Sequence, residues 1–251
     1  MSSPPIVLTF AASDPTGGAG LQADILTLAS LGCHPLSVVT ALTAQDTRGV
    51  EALLEVEARW VEEQARRVLQ DMPVAAFKLG VLGSPDSIAA IAAILAEHPQ
   101  VPVVVDPVLA SGRGDALSTE ASIFAMKERI FPLASIVTPN SIEAQRLGGA
   151  AGLLGAGARF VLVTGTHEAT PDVVNTLYAL GGVVREDRWP RLPGSYHGSG
   201  CTLASAIAAL LAKGREVPLA VREAQEYTWR TLAAGFRPGK GQSLPNRFFP
   251  A

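Results

Sequence analysis

Cysteine is scarce: 251 residues hold two, Cys33 and Cys201. They show no CxxC or Cys/His ligand spacing, which argues against a structural zinc and for a reducing compartment. Charge is also thin. Charged residues make up 17% of the chain and the formal net charge is -3, so no basic surface is available for nucleic acid or another polyanion. No apolar run reaches the length of a membrane span, and MSSPPIVLTF lacks the basic start of a secretory signal. These absences leave the cytoplasm as the expected location and a small molecule as the expected partner.

Hydrophobic residues are plentiful, at 48%. A chain of this length and composition can bury a large core, and it is read as one domain over residues 1–251. Short apolar, β-branched runs occur at 6–10, 36–44, 75–80, 102–106, 135–139 and 159–165. They do not alternate with polar residues, as expected of strands covered on both faces in a parallel sheet. Helical stretches lie between them, near 20–32, 57–72, 84–97, 118–129 and 140–147. This alternation predicts a doubly wound, three-layer α/β/α fold with a mostly parallel central sheet. Residues 173–192 break into short pieces around Gly181 and Gly182, which predicts antiparallel edge strands. Leu203, Ala204, Ile207, Ala208 and Leu211 then share one helix face.

Two glycine-rich loops stand out. The first, SDPTGGAGLQAD at 13–24, contains Gly18, Gly20 and Ala23, which fit G-x-G-x-x-A, with Asp46 placed where a ribose-binding acid would lie. A dinucleotide-dependent oxidoreductase is thus one reading. SDPTG, however, separates the strand from Gly18, and Asp24 is expected in the first helical turn, where it would repel a pyrophosphate. The loop suits a ligand that donates hydrogen bonds, such as an amino-substituted heterocycle, with Gln45 supplying a second contact from the next strand end. Alternatively, Asp24 merely favours the helix dipole and the glycines make a turn.

The second loop, HGSGCTLASAIAALL at 197–211, is the better anion site. Gly198, Ser199 and Gly200 let backbone N–H groups converge at a helix start with no acid in its first turn. Cys201 sits at that helix edge, where a thiol pKa is expected to fall and make it usable as a base; otherwise it is a small buried cysteine. In TPNSIEA (138–144), Asn140 and Glu143 either form a plain capping box or help hold Mg²⁺ near ATP phosphates, with Asp106 as a second acid. The four histidines show no metal-site spacing and are read as surface or loop residues.

Together these segments resemble the hydroxymethylpyrimidine and phosphomethylpyrimidine kinases of the ribokinase-like superfamily. SDPTGGAGLQADILTLASLG and VVTALTAQDTRGV look like that family's amino-terminal signature, and VDPVLASGRGD, TPNSIEA, HGSGCTLASAIAA and GKGQSLPNRFF follow in order over essentially the whole chain. The resemblance implies an ATP- and Mg²⁺-dependent kinase of thiamine biosynthesis. It would act first on 4-amino-5-hydroxymethyl-2-methylpyrimidine and then on the monophosphate. It also implies substrate contacts at Asp24, Gln45, Gly20 and Val81, catalysis at Cys201 with the anion hole of 198–200, and ATP contacts at Asn140, Glu143, Thr164 and Gly165. Asp106 and Glu143 would serve the metal. Such kinases often form homodimers. Two features depart from the family pattern: Thr164 stands where a lysine is usual, and the segment after Glu143 is short, so a truncated helix is expected there. A pyridoxal kinase of the same superfamily and a non-catalytic pyrimidine-binding relative are the neighbouring readings.

Overall fold

In the computed structural model, which describes residues 3–111 and 114–249, all nine strands join one sheet in the order β3-β2-β1-β4-β5-β6-β7-β8-β9. The strands are β1 (Ile6–Ser13), β2 (His34–Asp46), β3 (Gly49–Glu55), β4 (Ala76–Leu79), β5 (Val103–Val105), β6 (Ile136–Val137), β7 (Val161–Thr164), β8 (Asp172–Ala179) and β9 (Gly182–Pro190). The six strands β2, β1, β4, β5, β6 and β7 pair in parallel, while β3, β8 and β9 pair antiparallel at the two edges. Residues 112 and 113 of the VDPVLASGRGD block lie outside the described residues.

Eight helices cover the sheet: α1 (Gly20–Ser30), α2 (Ala58–Asp71), α3 (Pro85–Ala96), α4 (Glu120–Arg129), α5 (Ser141–Leu147), α6 (Gly149–Gly155), α7 (Ser199–Ala212) and α8 (Val217–Ala233). Side chains of successive strand residues point to opposite faces. Leu8, Phe10, Phe77, Leu79, Val103 and Val105 therefore pack with α2, α3 and α4. Val7, Ala76, Val104 and Ile136 pack with α7 and α8. Two apolar layers enclosing a sheet of continuous apolar strands make the expected three-layer α/β/α architecture.

Two elements were not expected. β3 turns back on β2 through Asp46–Gly49, where Asp46 accepts hydrogen bonds from the Arg48 and Gly49 N–H groups. Its residues, GVEALLE, are mostly exposed, with Glu51 interrupting the apolar positions, so they gave no continuous run of β-formers to read. The segment after Glu143 holds two short helices rather than one truncated one. Gly148, at φ +95°, ends α5 and begins α6, a left-handed conformation open to glycine at little cost.

The strand order reverses at β1: β2 lies on one side of it and β4 on the other. A crevice opens at such a switch point beyond the carboxyl ends of the strands. The ends of β1, β4, β5, β6 and β7 all deliver residues there.

Candidate active site

That crevice is a cavity of about 500 Å³. Its lining includes Gly20, Gln45 and Val81 near β1, β2 and β4, Asp106 after β5, Asn140 and Glu143 after β6, Thr164 at the end of β7, and residues 198–201 at the start of α7. Residues spread over 180 positions of sequence therefore meet in one space.

The two glycine loops pack directly on each other. A Cβ on Gly198 would lie 1.8 Å from the Gly18 carbonyl oxygen, and one on Gly20 would lie 2.3 Å from the Ala12 carbonyl oxygen. No side chain fits at either position. Asp14, buried at the end of β1, organises the first loop by accepting from the N–H groups of Thr16 and Ala19 and from the Thr16 hydroxyl. His197 pairs with the same carboxylate at 2.8 Å and ties the loops together. Burial alone would raise the Asp14 pKa, but His197 and the Thr16 and Ala19 N–H groups outweigh it and hold the carboxyl below its ordinary range. Arg247 closes the joint from below: its buried guanidinium donates to the carbonyls of Gly17 and Gly18 and to Thr202 Oγ1.

Asp24 does not reach the cavity. It lies a turn inside α1, fully buried, and faces the sheet. Thr9 and Ser205 donate to its carboxylate at 2.7 Å each, and Lys78 Nζ stands 2.8 Å from Oδ1 and 3.0 Å from Oδ2. With every accepting position served, it has nothing left to offer a pyrimidine. Gly165 also departs from expectation. It is buried against β8, where its N–H donates to Asn175 Oδ1 and a Cβ would meet the Val174 carbonyl oxygen at 2.4 Å.

Cys201 lies at the α7 start as expected, but its thiol is not activated there. Burial pushes its pKa up to about 12. Lys78 pulls it down, Asp106 and Asp24 push it up, and the Gly20 N–H contact lowers it slightly. Cys201 is half-buried in the cavity wall, and desolvation together with the charges of Asp106 and Asp24 outweighs what Lys78 and the helix start offer a thiolate.

The acids behave differently from Asp24. Asp106 is buried and its Oδ2 has no hydrogen-bond partner. Burial pushes its pKa up to about 6, against the pull of Lys78 and the Cys201 thiol beside it. Glu143 and Asn140 close a capping box: Asn140 Oδ1 accepts from the Glu143 N–H and Glu143 Oε2 from the Asn140 N–H, at 2.9 Å each. Leu109 N–H donates to Glu143 Oε1. Burial, reinforced by the charge of Asp106, pushes the Glu143 pKa up to about 8. Two adjacent, dehydrated carboxyls that each resist ionisation form an electrostatic environment that a divalent cation relieves. Among the described residues, no cluster of three or more His, Cys, Asp or Glu could ligate a metal by itself. An ion here would keep most of its waters, which suits Mg²⁺.

Sequence reasoning missed three further features. His197 and Asp14 lacked a visible partner in sequence. Lys78 had a signal: it is the lone charge in an apolar run read as a buried strand. At the far end of the cavity, Trp189 and Trp229 stack with centroids 6.4 Å apart beside Gln225 and Asn175.

An open, mostly parallel α/β sheet whose switch-point cavity joins a glycine-built helix start to a buried acid pair has the architecture of the ribokinase-like kinases. The family model for phosphomethylpyrimidine kinase matches residues 14–246. The chain belongs to that family. It is 42% identical to a hydroxymethylpyrimidine/phosphomethylpyrimidine kinase of Streptomyces coelicolor, covering 95% of this chain and 93% of that protein. Against the protein of the same name from Rhizobium meliloti, identity is 38% with 94% of each covered. Among solved structures, it resembles the pyridoxal kinase of Staphylococcus aureus in complex with pyridoxal, at TM-score 0.90 and 25% identity, covering 98% of this chain and 94% of that one. It also resembles a phosphomethylpyrimidine kinase from Clostridium difficile, at TM-score 0.77 and 33% identity, covering 89% and 97%. The same S. aureus kinase is known in complex with ADP. No helix among the described residues is long and apolar enough to cross a membrane.

Proposed function

We propose that the protein transfers the γ-phosphoryl group of Mg²⁺–ATP to the hydroxymethyl group of 4-amino-5-hydroxymethyl-2-methylpyrimidine and then to the monophosphate, two steps of thiamine biosynthesis. The observation that carries this reading is the convergence of the 198–201 amides with Asp106 and Glu143 on one cavity. Phosphoryl transfer asks a protein chiefly for positioning and for fixed dipoles where charge develops. The α7 start supplies the dipoles, and the acid pair is where Mg²⁺ would be held, largely through water, to neutralise phosphate charge. The orphaned Asp106 Oδ2 fits that role.

Gln45, Gly20 and Val81 orient the pyrimidine, with Gln45 and close-lying backbone meeting its ring substituents. The carboxylate once expected of Asp24 is not needed for this. Asn140 and Thr164 border the phosphates, and the apolar end near Trp229 accommodates the nucleobase. The alcohol must lose a proton during attack. Cys201 holds its own proton near neutral pH, so the proton acceptor is the ionised Asp106 carboxylate, with the Cys201 thiol beside it passing its own proton to Asp106 as it takes one from the alcohol.

A phosphate monoester is already anionic near neutral pH, so the acceptor matters mainly for the first step. Cys201→Ala is therefore expected to slow phosphorylation of the alcohol roughly 10²-fold or more, the low end for a lost proton acceptor, and that of the monophosphate far less. Incubation with Mg²⁺–ATP and each acceptor, with separation of mono- and diphosphate products, measures both. Equal losses would remove Cys201 from proton transfer, and no product from either acceptor would refute the kinase reading. Pyridoxal, assayed in parallel, addresses the resemblance to pyridoxal kinases; faster turnover of pyridoxal would reassign the substrate.

A further inference from the structure

Phosphoryl transfer wants fixed positive charge near the reaction centre, and Thr164 leaves the end of β7 without one. Among the described residues, Lys78 and Arg191 are the lysines and arginines lining the cavity. Arg191 is committed elsewhere, donating to the carbonyls of Gly165, Thr166, Glu168 and Thr170 and so bracing the loop after β7.

Lys78 is differently placed. It sits on β4, the central strand beside the switch point, with no exposed surface, yet its ammonium reaches the cavity wall: a Cβ on Gly80, itself part of the lining, would lie 3.0 Å from Nζ. Asp24 holds the ammonium from the side away from the cavity, fixed in turn by Thr9 and Ser205. The pair is thus a buried dipole between the sheet and the helix layer of α1 and α7. At Cys201 and at Asp106 alike, the pull of Lys78 exceeds the push of Asp24, so its positive end points toward the reacting groups.

We propose that Lys78 is an electrostatic positioning residue for the transfer, a buried ammonium that Asp24 aims at the Cys201–Asp106 corner and that supplies the fixed positive charge absent at position 164. The assignment rests on the kinase reading above. A buried ion pair kept only for the fold could be exchanged for a neutral pair without loss, since such swaps are often neutral for stability. A pair kept for its field could not.

The test compares the wild type with two neutral pairs, Asp24→Asn with Lys78→Met and Asp24→Asn with Lys78→Gln, in melting temperature, KM for ATP and for the pyrimidine alcohol, and kcat. The neutral pair that melts nearest the wild type is expected to keep both KM values within about threefold and lose roughly 10²-fold in kcat, the scale of one lost electrostatic contact. Adding Thr164→Lys to that variant is expected to restore at least part of kcat. A well-folded neutral pair with kcat within about threefold of wild type would overturn the assignment. So would failure of both pairs to fold, which would place the charges in the service of stability, or a kcat loss that Thr164→Lys leaves unmoved. A wild type without turnover would instead sink the kinase reading and is distinguished at once.

Discussion

Asp24 and Asp106 are both buried carboxylates beside the same switch point, yet they live in opposite chemical worlds. On the α1 side, Asp24 meets an ammonium and two hydroxyls, and every acceptor position is served. On the β5 side, Asp106 keeps an oxygen without a partner and a pKa raised to about 6. A saturated buried acid is part of the scaffold, whereas an unsatisfied one costs stability and is retained where a ligand completes it. Glycine-rich surroundings and a helix start made Asp24 look functional in sequence, and only the structure reveals that its carboxylate is buried and taken up by Thr9, Ser205 and Lys78.

The largest expected effect lies on the open side. Asp106→Asn should lower turnover of the alcohol by about 10²–10⁴-fold, the range for a lost base, while the melting temperature holds or rises. Steady-state kinetics with a parallel melt checks this, and a variant that keeps its turnover but melts early would make Asp106 a scaffold residue like Asp24. The closed side should answer in the opposite currency. Asp24→Asn strands a buried ammonium, a loss of about 3–5 kcal/mol for breaking such a pair, with the pyrimidine KM little changed. Chemical denaturation and substrate titration measure the two; a stable variant with a sharply raised KM would return Asp24 to the binding site.

A smaller effect sharpens the contrast through pH. The Glu143 carboxyl binds its proton more tightly in the folded chain, at about 8, than its ordinary value of 4.5 allows when unfolded. Raising the pH through that window therefore removes stability from the ligand-free protein. Asp106, displaced to about 6, adds to the lower part of the same window. Glu143→Gln should flatten the fall in melting temperature between pH 5.5 and 8.5, and Mg²⁺ with nucleotide should flatten it in the wild type. Identical slopes in variant and wild type would exclude Glu143 as the titrating group.

Much of the architecture was legible because parallel strands buried on both faces leave an uninterrupted apolar signature. The runs at 6–10, 75–80, 102–106 and 159–165 all became strands. β3 escaped because an edge hairpin needs no such run, and α6 because glycine and alanine carry little periodicity. At the site, glycine spacing announced Gly198–Cys201, and the strand-end rule pointed to Gln45 and Asp106. What could not be read was pairing across distance. Asp14 and His197, Lys78 and Asp24, and Arg247 with the Gly17 and Gly18 carbonyls each join residues that sequence separates by dozens to hundreds of positions. Local context also misjudged the Cys201 thiol, since a helix start promises a low pKa only where desolvation and neighbouring acids, here Asp106 and Asp24, do not outweigh it.

The clasp between the loops at 18 and 198, secured by Arg247, carries a temporal implication. A polypeptide emerging from the ribosome can lay down β1 and α1 early, but the seat for the migrating group needs Arg247 to arrive. Nascent chains that have not yet reached Arg247 should therefore be catalytically silent.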